Sequence, residues 1–358
     1  MLSLTPLSTL VSIIVLTLGL VYTYGNYMTN SNIEQQPMQA AKSAVSTISK
    51  AIKMSNLSHA NIELRPSGKR GHADHGWLNT YHTFSFASYY APEFESFGSL
   101  RVLNEDRVAP GQDEFLYALP PTISANLSLR FPTHPHRDAE IFSYILSGEL
   151  THRDSLQKKG SESNDKDKFF RMKRGDVQFT TGGTGIAHSE GNEHNRDWVH
   201  FLQIWALPWK RGLPPIYHTN TFNEEEKRKG FVNIITPLKA GPTATPADEK
   251  AAIPATNGTI PVHADLVFSA GIIPAGSAFE YKIGGEDAVR SKKNRNTYVH
   301  LPMTKSGKAK IRLAGRDDKD SVLKEGDGAF VRGVNAGDVL TVESIGEAEA
   351  EVVVLDSN

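Results

Sequence analysis

Apolar and polar side chains alternate along much of this chain, a pattern that is typical of half-buried β-strands. Residues 141–146 form such a run, and Ser147 and Gly148 end it with turn residues before the alternation resumes, which predicts a hairpin with a tight turn. Another run occupies residues 177–179, and comparable runs bounded by glycine and proline recur from Asn104 onward. Helical periodicity is sparse beyond the N-terminal tail, so the pattern predicts an all-β protein.

Composition narrows the function classes. The chain has 358 residues, of which 39% are hydrophobic, enough for two domains and a tail. Its 39 basic and 40 acidic residues give a net charge of −1 and no basic face, which excludes the electrostatic footprint of a direct nucleic-acid binder. The absence of cysteine excludes thiol nucleophiles, zinc–thiolate sites, iron–sulfur clusters and disulfides. The glycines at 182–185 lack the Lys-Ser/Thr of a phosphate loop, and no dinucleotide fingerprint is present.

Two short segments about fifty residues apart carry candidate metal ligands. The first contains His134 and His136, and the second contains His188 and Glu190. Side chains at positions i and i+2 of a strand point the same way, so each pair shares one strand face and the two pairs can hold a single ion. Three imidazoles and one carboxylate suit a borderline divalent metal and leave coordination positions open, which indicates catalysis or small-ligand sensing.

These segments and their flanks resemble the cupins and, within them, the pirins. The spacing G-x-G-x-x-H-x-x-x-N at 183–192 is similar to the second cupin motif, and H-x-H-x-x-x-E from His134 to Glu140 is similar to the first. The pirin resemblance spans about residues 63 to 222, and it is carried by RGHADHGWLN at 70–79, YHTFSF at 81–86, FGSLRVLNED at 97–106, HPHRD at 134–138 and GIAHSE at 185–190. It implies a bicupin, two RmlC-like jelly-roll β-barrels in tandem, with a metal in the first.

Carried over by motif, the pirin ligand set of three histidines and one glutamate falls on His134, His136, His188 and Glu190. The expected ion is Fe²⁺, and Mn, Ni, Co, Cu and Zn stay open. Glu140 is an alternative carboxylate, because it stands where many cupins place theirs and shares the parity of His134 and His136. It could also orient a ligand imidazole. Glu190 is favoured, because the pirin pattern places the ligand in the second motif.

The remaining histidines are expected to be structural. His72 and His75 have H-x-x-H spacing, but the neighbouring glycines and aspartate predict a loop rather than a helical metal site. A second set lacks partners at ligand spacing: His82, His152, His194, His200 and His218. Of these, His200 alternates with Leu202 and Ile204, which allows a barrel-interior position near the site.

Composition predicts four segments along the chain. They are an apolar N-terminal segment and linker with helical character at 1–57, a metal-binding barrel at 58–222, a charged and proline-rich connector at 223–260, and a degenerate barrel at 261–358. The last segment repeats the Ser-Gly and Gly-Asp turns of the first barrel. Aligning those turns places four residues opposite the ligands, none of which could hold the same metal: Lys293, Arg295, Val339 and Thr341. The second barrel is therefore expected to be metal-free.

An apolar stretch at residues 7–24 stands near the minimum length for a membrane span. Because lysines follow it and no basic side chain precedes it, the positive-inside bias predicts an anchor with the barrels facing the cytosol. A signal peptide, a mitochondrial address at 38–53 and a translation start at Met54 are the alternatives.

The resemblance implies an activity as well as a fold. Several pirin-like proteins resemble quercetinases, which open the central ring of a flavonol, and in that picture Glu190 binds the metal and takes the proton of the flavonol 3-hydroxyl. The expected partner is then a small aromatic substrate. Two alternatives stay open: a non-enzymatic, redox-sensing iron protein that docks transcription factors, and a sugar isomerase or epimerase.

Overall fold

The computed structural model describes residues 57–111, 130–156, 170–286, 288–304 and 306–358. In these residues, strands account for most of the regular structure, which confirms the prediction of a mainly β protein. The strands are β1 (Asn61–Arg65), β2 (Gly71–Asp74), β3 (Leu78–His82), β4 (Leu100–Val108), β5 (Arg130–His136), β6 (Glu140–Ser147), β7 (Glu149–Asp154), β8 (Phe170–Lys173), β9 (Asp176–Thr181), β10 (Ile186–Gly191), β11 (Val199–Ala206), β12 (Ile216–Thr221), β13 (Val232–Pro237), β14 (Ile260–Val262), β15 (Leu266–Ile273), β16 (Ala278–Lys282), β17 (Arg295–His300), β18 (Lys310–Leu313), β19 (Val322–Lys324), β20 (Gly328–Val334), β21 (Val339–Ser344) and β22 (Ala350–Ser357).

The described residues also contain two short α-helices, α1 (Glu224–Lys227) and α2 (Pro246–Ala251), and 3-10 turns at Ser67–Lys69, Pro92–Phe94 and Gly241–Thr243. Pro246 and the capping box between Thr245 and Asp248 start α2. Within the described ranges, no helix is long and apolar enough to cross a membrane. The anchor predicted at residues 7–24 lies outside the described residues.

The strands form four sheets, which group into two sheet pairs. The N-terminal sheet pair contains a seven-stranded sheet of order β12-β9-β6-β11-β4-β3-β2 and a four-stranded sheet of order β5-β10-β7-β8. The C-terminal sheet pair repeats this plan, with β1-β20-β17-β22-β15-β13-β14 and β16-β21-β18-β19. Neighbouring strands are antiparallel except for β13 and β14. Few of these neighbours are consecutive in sequence, with hairpins at β2–β3, β3–β4, β7–β8 and β18–β19 among the described residues. The hairpin predicted around Ser147 and Gly148 was wrong, because β6 and β7 belong to different sheets.

The two seven-stranded sheets share one apolar core. Alternate side chains of each strand point to opposite faces, so one face of each sheet contributes to this core. On β6, Phe142 and Tyr144 join Phe268 and Leu355 of the C-terminal sheet pair in this shared core. Ile145, one residue further along β6, instead faces a smaller cluster inside the N-terminal sheet pair. β6 is thus buried on both faces, with one face toward the partner sheet and the other toward the interior that contains the candidate site.

The chain crosses between the two sheet pairs in a way that composition did not predict. β1 falls within the segment expected to form the first barrel, yet it pairs with β20 of the C-terminal sheet pair, with Ile62 opposite Val331. β13 falls within the expected connector and pairs with β15. Alternation shows that β1 is half-buried, but it does not show which sheet the strand completes.

The alignment of the two halves by their shared turns was wrong for the first motif. Sheet order makes β16 the counterpart of β5, and residues 283–294 separate β16 from β17, whereas only residues 137–139 separate β5 from β6. This longer loop shifts the register, so Lys293 and Arg295 fall outside the strand that matches β5. Arg295 is buried at the start of β17 in an ion pair with Asp356.

For the second motif, the alignment identified the correct strand but the wrong face of that strand. Val339 and Thr341 lie on β21, the counterpart of β10, but Leu340 and Val342 are the β21 residues that belong to the internal apolar core. Tyr281 of β16 belongs to the same core. The interior positions that match the candidate ligands therefore carry apolar side chains.

A buried carboxylate, Glu105, joins the two sheet pairs. It accepts hydrogen bonds from Arg70 Nη1 at 3.1 Å and from His200 Nε2 at 2.9 Å, both in the N-terminal half. From the C-terminal half it accepts from His300 Nε2 at 3.1 Å and from the backbone N–H of Met303 at 2.6 Å. Burial raises the pKa of Glu105, but the bonds from His200 and His300 outweigh it and hold the pKa well below its usual range.

We expect Glu105→Gln to lower the free energy of unfolding at pH 7 by about 3–5 kcal/mol, because it leaves the buried Arg70 guanidinium without its counter-charge. A depressed pKa stabilises the fold above the ordinary glutamate value, and this stabilisation is lost as pH falls through the folded value. The difference between wild type and variant should therefore shrink in acid. Urea unfolding at several pH values measures it.

The matched control is Glu63→Gln, which removes a solvent-exposed ion pair with Arg332. Exposed pairs contribute about 0–1 kcal/mol, so this variant should unfold almost like wild type. Equal effects of the two substitutions would contradict the special role of Glu105.

Candidate metal centre

Three imidazoles converge inside the N-terminal sheet pair. β5 supplies His134 and His136, and β10 supplies His188 and pairs with β5 so that His188 lies opposite His134. One nitrogen of each ring can be chosen so that all three lie within 4.8 Å of one another. The Nε2 atoms of His134 and His188 are 3.2 Å apart. The structure thus brings together the three histidines that the sequence singled out.

Each of the three rings keeps a nitrogen lone pair available. His134 donates from Nδ1 to the carbonyl oxygen of Pro132 at 2.7 Å, which leaves Nε2 as the acceptor in the neutral ring. His136 Nε2 is buried and has no hydrogen-bond partner among the described residues. Burial, with a smaller contribution from His134, lowers the pKa of His136 to about 4, and burial together with neighbouring histidines lowers the pKa of His188 to about 2. Both rings are neutral at pH 7, as metal ligands must be.

Glu190 lies two residues after His188 on β10, but its carboxylate forms hydrogen bonds with side chains other than the three histidines. It is 2% exposed and accepts hydrogen bonds from Gln203 Nε2 at 2.8 Å and Ser143 Oγ at 3.3 Å. The pairing register shifts between His188 and Glu190, which locally changes the direction of the strand. Burial, together with the neighbouring Asp106, raises the pKa of Glu190 to about 7. A cation placed nearby would favour the ionised form.

Glu140, the alternative carboxylate, bonds toward the C-terminal sheet pair. Thr181 Oγ1 donates to it at 3.1 Å, and His263 Nδ1 lies 3.3 Å from the same carboxylate oxygen. His263 Nε2 in turn lies 2.5 Å from Glu249 of α2. Among the described residues, the recorded partners of Glu140 include no histidine of the candidate centre. Glu140 therefore belongs to the contact between the two sheet pairs.

His152 is the site residue that the sequence analysis missed. It is fully buried, and its Nε2 lies 3.0 Å from His188 Nδ1. Together with Asp154 and His188 it forms a second group whose ligand atoms all lie within 4.8 Å. The signal that could have found it is the His-x-Asp alternation at 152–154, which places both side chains on the same face of β7.

Three other histidines lie outside the candidate centre. His200 faces Glu105 between the sheet pairs, so the expectation of a barrel-interior position was wrong. His72 lies on β2 rather than in a loop and stacks on Tyr81 with ring centroids 4.4 Å apart. His82 bonds Asn104 through Nδ1 at 2.9 Å, which is a structural role.

An open cavity of about 540 Å³ reaches the centre beside His136, with Arg137 and Thr184 also on its wall. Arg137 donates to the carbonyl oxygen of Thr184 at 3.2 Å, which ties the β5–β6 turn to the glycine-rich turn. On the inner side, the Trp205 ring meets His136 edge to face, with centroids 4.9 Å apart. A small molecule could therefore approach the histidines from solvent, while Trp205 covers the opposite side.

The sequence of this chain is similar to known proteins. A family model described as Pirin matches residues 63–206. A Pseudomonas aeruginosa protein whose name proposes a quercetin 2,3-dioxygenase is 37% identical over 222 residues, 62% of this chain and 77% of that protein. The quercetin 2,3-dioxygenase of Escherichia coli K12 is 39% identical over 162 residues, 45% of this chain and 58% of the relative, so the match spans little more than half of that enzyme.

Solved structures give a similar result. The bacterial pirin YhhW from Escherichia coli, in complex with nickel(II), has a TM-score of 0.59 and 26% identity, with coverage of 83% of this chain and 99% of that one. A quercetin 2,3-dioxygenase from Acinetobacter baumannii has a TM-score of 0.52 at 16% identity, with coverage of 83% of this chain and 85% of that one, a likeness of fold alone.

Trp205 should report on the centre through its fluorescence. Because its ring contacts His136, we expect Ni²⁺ or Cu²⁺ bound by the histidines to quench Trp205 at short range. Trp205→Phe should remove most of the quenching, whereas Trp198→Phe, which changes an indole that is 45% exposed, should leave it intact. Titration by steady-state fluorescence measures both. Undiminished quenching in Trp205→Phe would place the bound ion elsewhere.

Proposed function

Since this chain belongs to the pirin family, we propose that it is a metal-dependent dioxygenase of the quercetinase type. Its substrate would be a flavonol or a similar enolic or phenolic compound. The proposed ligands are His134, His136, His188 and Glu190. The observation that carries the proposal is the convergence of three imidazoles beside a solvent-accessible cavity.

The donor set fits a divalent transition metal. Imidazole suits iron, nickel, copper and zinc. The buried His136 Nε2, which has no partner in the part of the chain that the structure describes, would be costly unless an ion or another donor satisfied it. The nickel named for the related YhhW supports a metal in this fold without fixing which metal this chain uses. Fe²⁺ is our first choice.

A bound divalent ion would supply Lewis acidity that stabilises a deprotonated phenolic or enolic oxygen. Glu190 is the proposed general base, which takes the proton from the substrate hydroxyl onto a carboxylate oxygen. Burial raises the pKa of Glu190 to about 7 without a cation, and a bound cation would lower it and keep the carboxylate ionised, as a general base must be. Gln203 and Ser143 hold the carboxylate in place from the interior side. The Trp205 ring excludes water behind His136.

The two sheet pairs are the proposed tandem cupin barrels. Each combines a seven-stranded and a four-stranded sheet in corresponding order, which supports an internal duplication of one barrel. In this proposal the first barrel holds the metal. The second, whose interior is lined by Tyr281, Leu340 and Val342, serves as its packing partner.

The test measures metal content and oxygen uptake with quercetin on the same preparations. We expect about one metal ion per chain and flavonol-dependent oxygen consumption in wild type. His136→Ala should lose both. Glu190→Gln should lower kcat/KM by about 100-fold or more, the usual contribution of a positioned general base.

Glu140→Gln is the matched control, because it is an equally buried glutamate that bonds toward the other sheet pair. It should retain metal and turnover if Glu190 is the carboxylate ligand, and a reversal of the two results would exchange their roles. Stoichiometric metal without flavonol turnover, combined with partner binding that changes on metal oxidation, would overturn the enzyme in favour of a redox sensor.

A further inference from the structure

We propose that His152 is a positioning residue for the metal centre: it accepts a hydrogen bond from His188 Nδ1–H and thereby holds the His188 Nε2 lone pair toward the ion. This inference rests on the proposed metal site and concerns a residue outside the proposed ligand set.

The two nitrogens of His188 face different partners. Nε2 lies 3.2 Å from His134 Nε2, and Nδ1 lies 3.0 Å from His152 Nε2. A neutral imidazole carries one proton, so a ring that binds a metal through Nε2 must carry that proton on Nδ1. His152 Nε2 must then be the acceptor, because both facing nitrogens cannot be protonated at this distance. The proton of neutral His152 is left on Nδ1.

His134 shows the same arrangement by a different route. Its Nδ1 donates to the carbonyl oxygen of Pro132 at 2.7 Å, which leaves Nε2 unprotonated. Such acceptors behind ligating histidines fix the tautomer and the ring orientation, and they increase ligand basicity. For His188 the group facing Nδ1 is the His152 side chain rather than a backbone carbonyl. His152 therefore does for His188 what the Pro132 carbonyl does for His134.

The surroundings of His152 hold its ring in place as an acceptor. β7 pairs with β10 so that His152 lies opposite Glu190, and the side chain is fully buried. The Tyr217 ring stacks on it with centroids 5.5 Å apart, and the Tyr217 hydroxyl lies 3.4 Å from His152 Nδ1. A proton on His152 Nδ1 has the Tyr217 hydroxyl oxygen as a nearby acceptor, which leaves Nε2 to accept from His188.

The competing explanation is a second cation held by His152, Asp154 and His188, whose ligand atoms lie within 4.8 Å of one another. The feature in its favour is that Asp154 Oδ2 is buried without a partner from the described ranges. The 3.0 Å separation of the two facing nitrogens is, however, already that of a hydrogen bond. The number of ions bound per chain distinguishes the two explanations.

The experiment compares Co²⁺ binding by wild type, His152→Gln, His152→Leu and His152→Asn. The amide of glutamine reaches the position of Nε2 and can accept from His188, whereas leucine cannot accept and asparagine is one methylene too short. We expect one Co²⁺ per chain throughout. The affinity should fall about 10–100-fold in the leucine and asparagine variants and stay within about threefold of wild type in the glutamine variant, the range for removing or keeping such an acceptor.

Chelator competition gives the affinity, and the visible d–d absorption of Co²⁺ should change in the leucine and asparagine variants alone. His218→Gln is the matched control, because His218 follows Tyr217 on β12 and faces the other side of that strand. Thermal unfolding of the metal-free proteins identifies any variant that fails to fold, and the remaining variants still decide the outcome.

Equal Co²⁺ affinity and spectra in all folded His152 variants would overturn the proposal while leaving the three-histidine site intact. Two ions in wild type and one in His152→Leu would overturn it in favour of the second cation. Absence of Co²⁺ binding in wild type would instead overturn the proposed metal function itself.

Discussion

The antiparallel pairing of β5 with β10 is the constraint on which the candidate centre depends. It sets His134 opposite His188 and leaves His136 one step along the same face. Because side chains alternate with a period of two, a shift of one residue would turn these imidazoles from the interior toward solvent. Two features hold the register: the pairing of β10 with β7 on its other edge, and the glycine-rich turn at 182–185 that Arg137 ties to the end of β5.

Such a polar interior is stable because apolar burial is concentrated elsewhere. The core between the seven-stranded sheets gathers large side chains from both halves, among them Phe142, Phe268 and Phe330. The C-terminal sheet pair has its own aliphatic interior. The N-terminal sheet pair keeps only a small apolar cluster, which leaves room for histidines, carboxylates and amides. Burial of such polar groups is expensive unless they are paired, as Glu190 is with Ser143 and Gln203.

Sequence alone predicted the local part of this arrangement. The i and i+2 spacing of His134 and His136 was enough to place both on one strand face, and motif resemblance joined them to His188. Contacts between distant strands could not be read in the same way. The bonds of Glu190 to Ser143 and Gln203 join three separate strands, and no single-strand period shows which carboxylate meets which amide.

The same limit explains the errors. His200 alternates correctly, but alternation does not show which face of β11 is the interior and which meets the other sheet pair. The comparison of the two halves failed for the first motif because it assumed equal loop lengths, and residues 283–294 break that assumption. His152 was passed over because its partner, His188, lies on another strand, although its own spacing to Asp154 was visible.

The position of β1 has a consequence for synthesis and folding. Because β1 forms the edge of a sheet that also contains β22, the ends of the described chain belong to one sheet, and the entire histidine-bearing half is inserted between them. Glu63 meets Arg332 across 269 residues, so a nascent chain must hold its first strand unpaired until almost the last strands leave the ribosome. We expect closure of so long a loop to be slow, because non-local contacts form late, and a fragment that starts after β1 leaves β20 with an open edge.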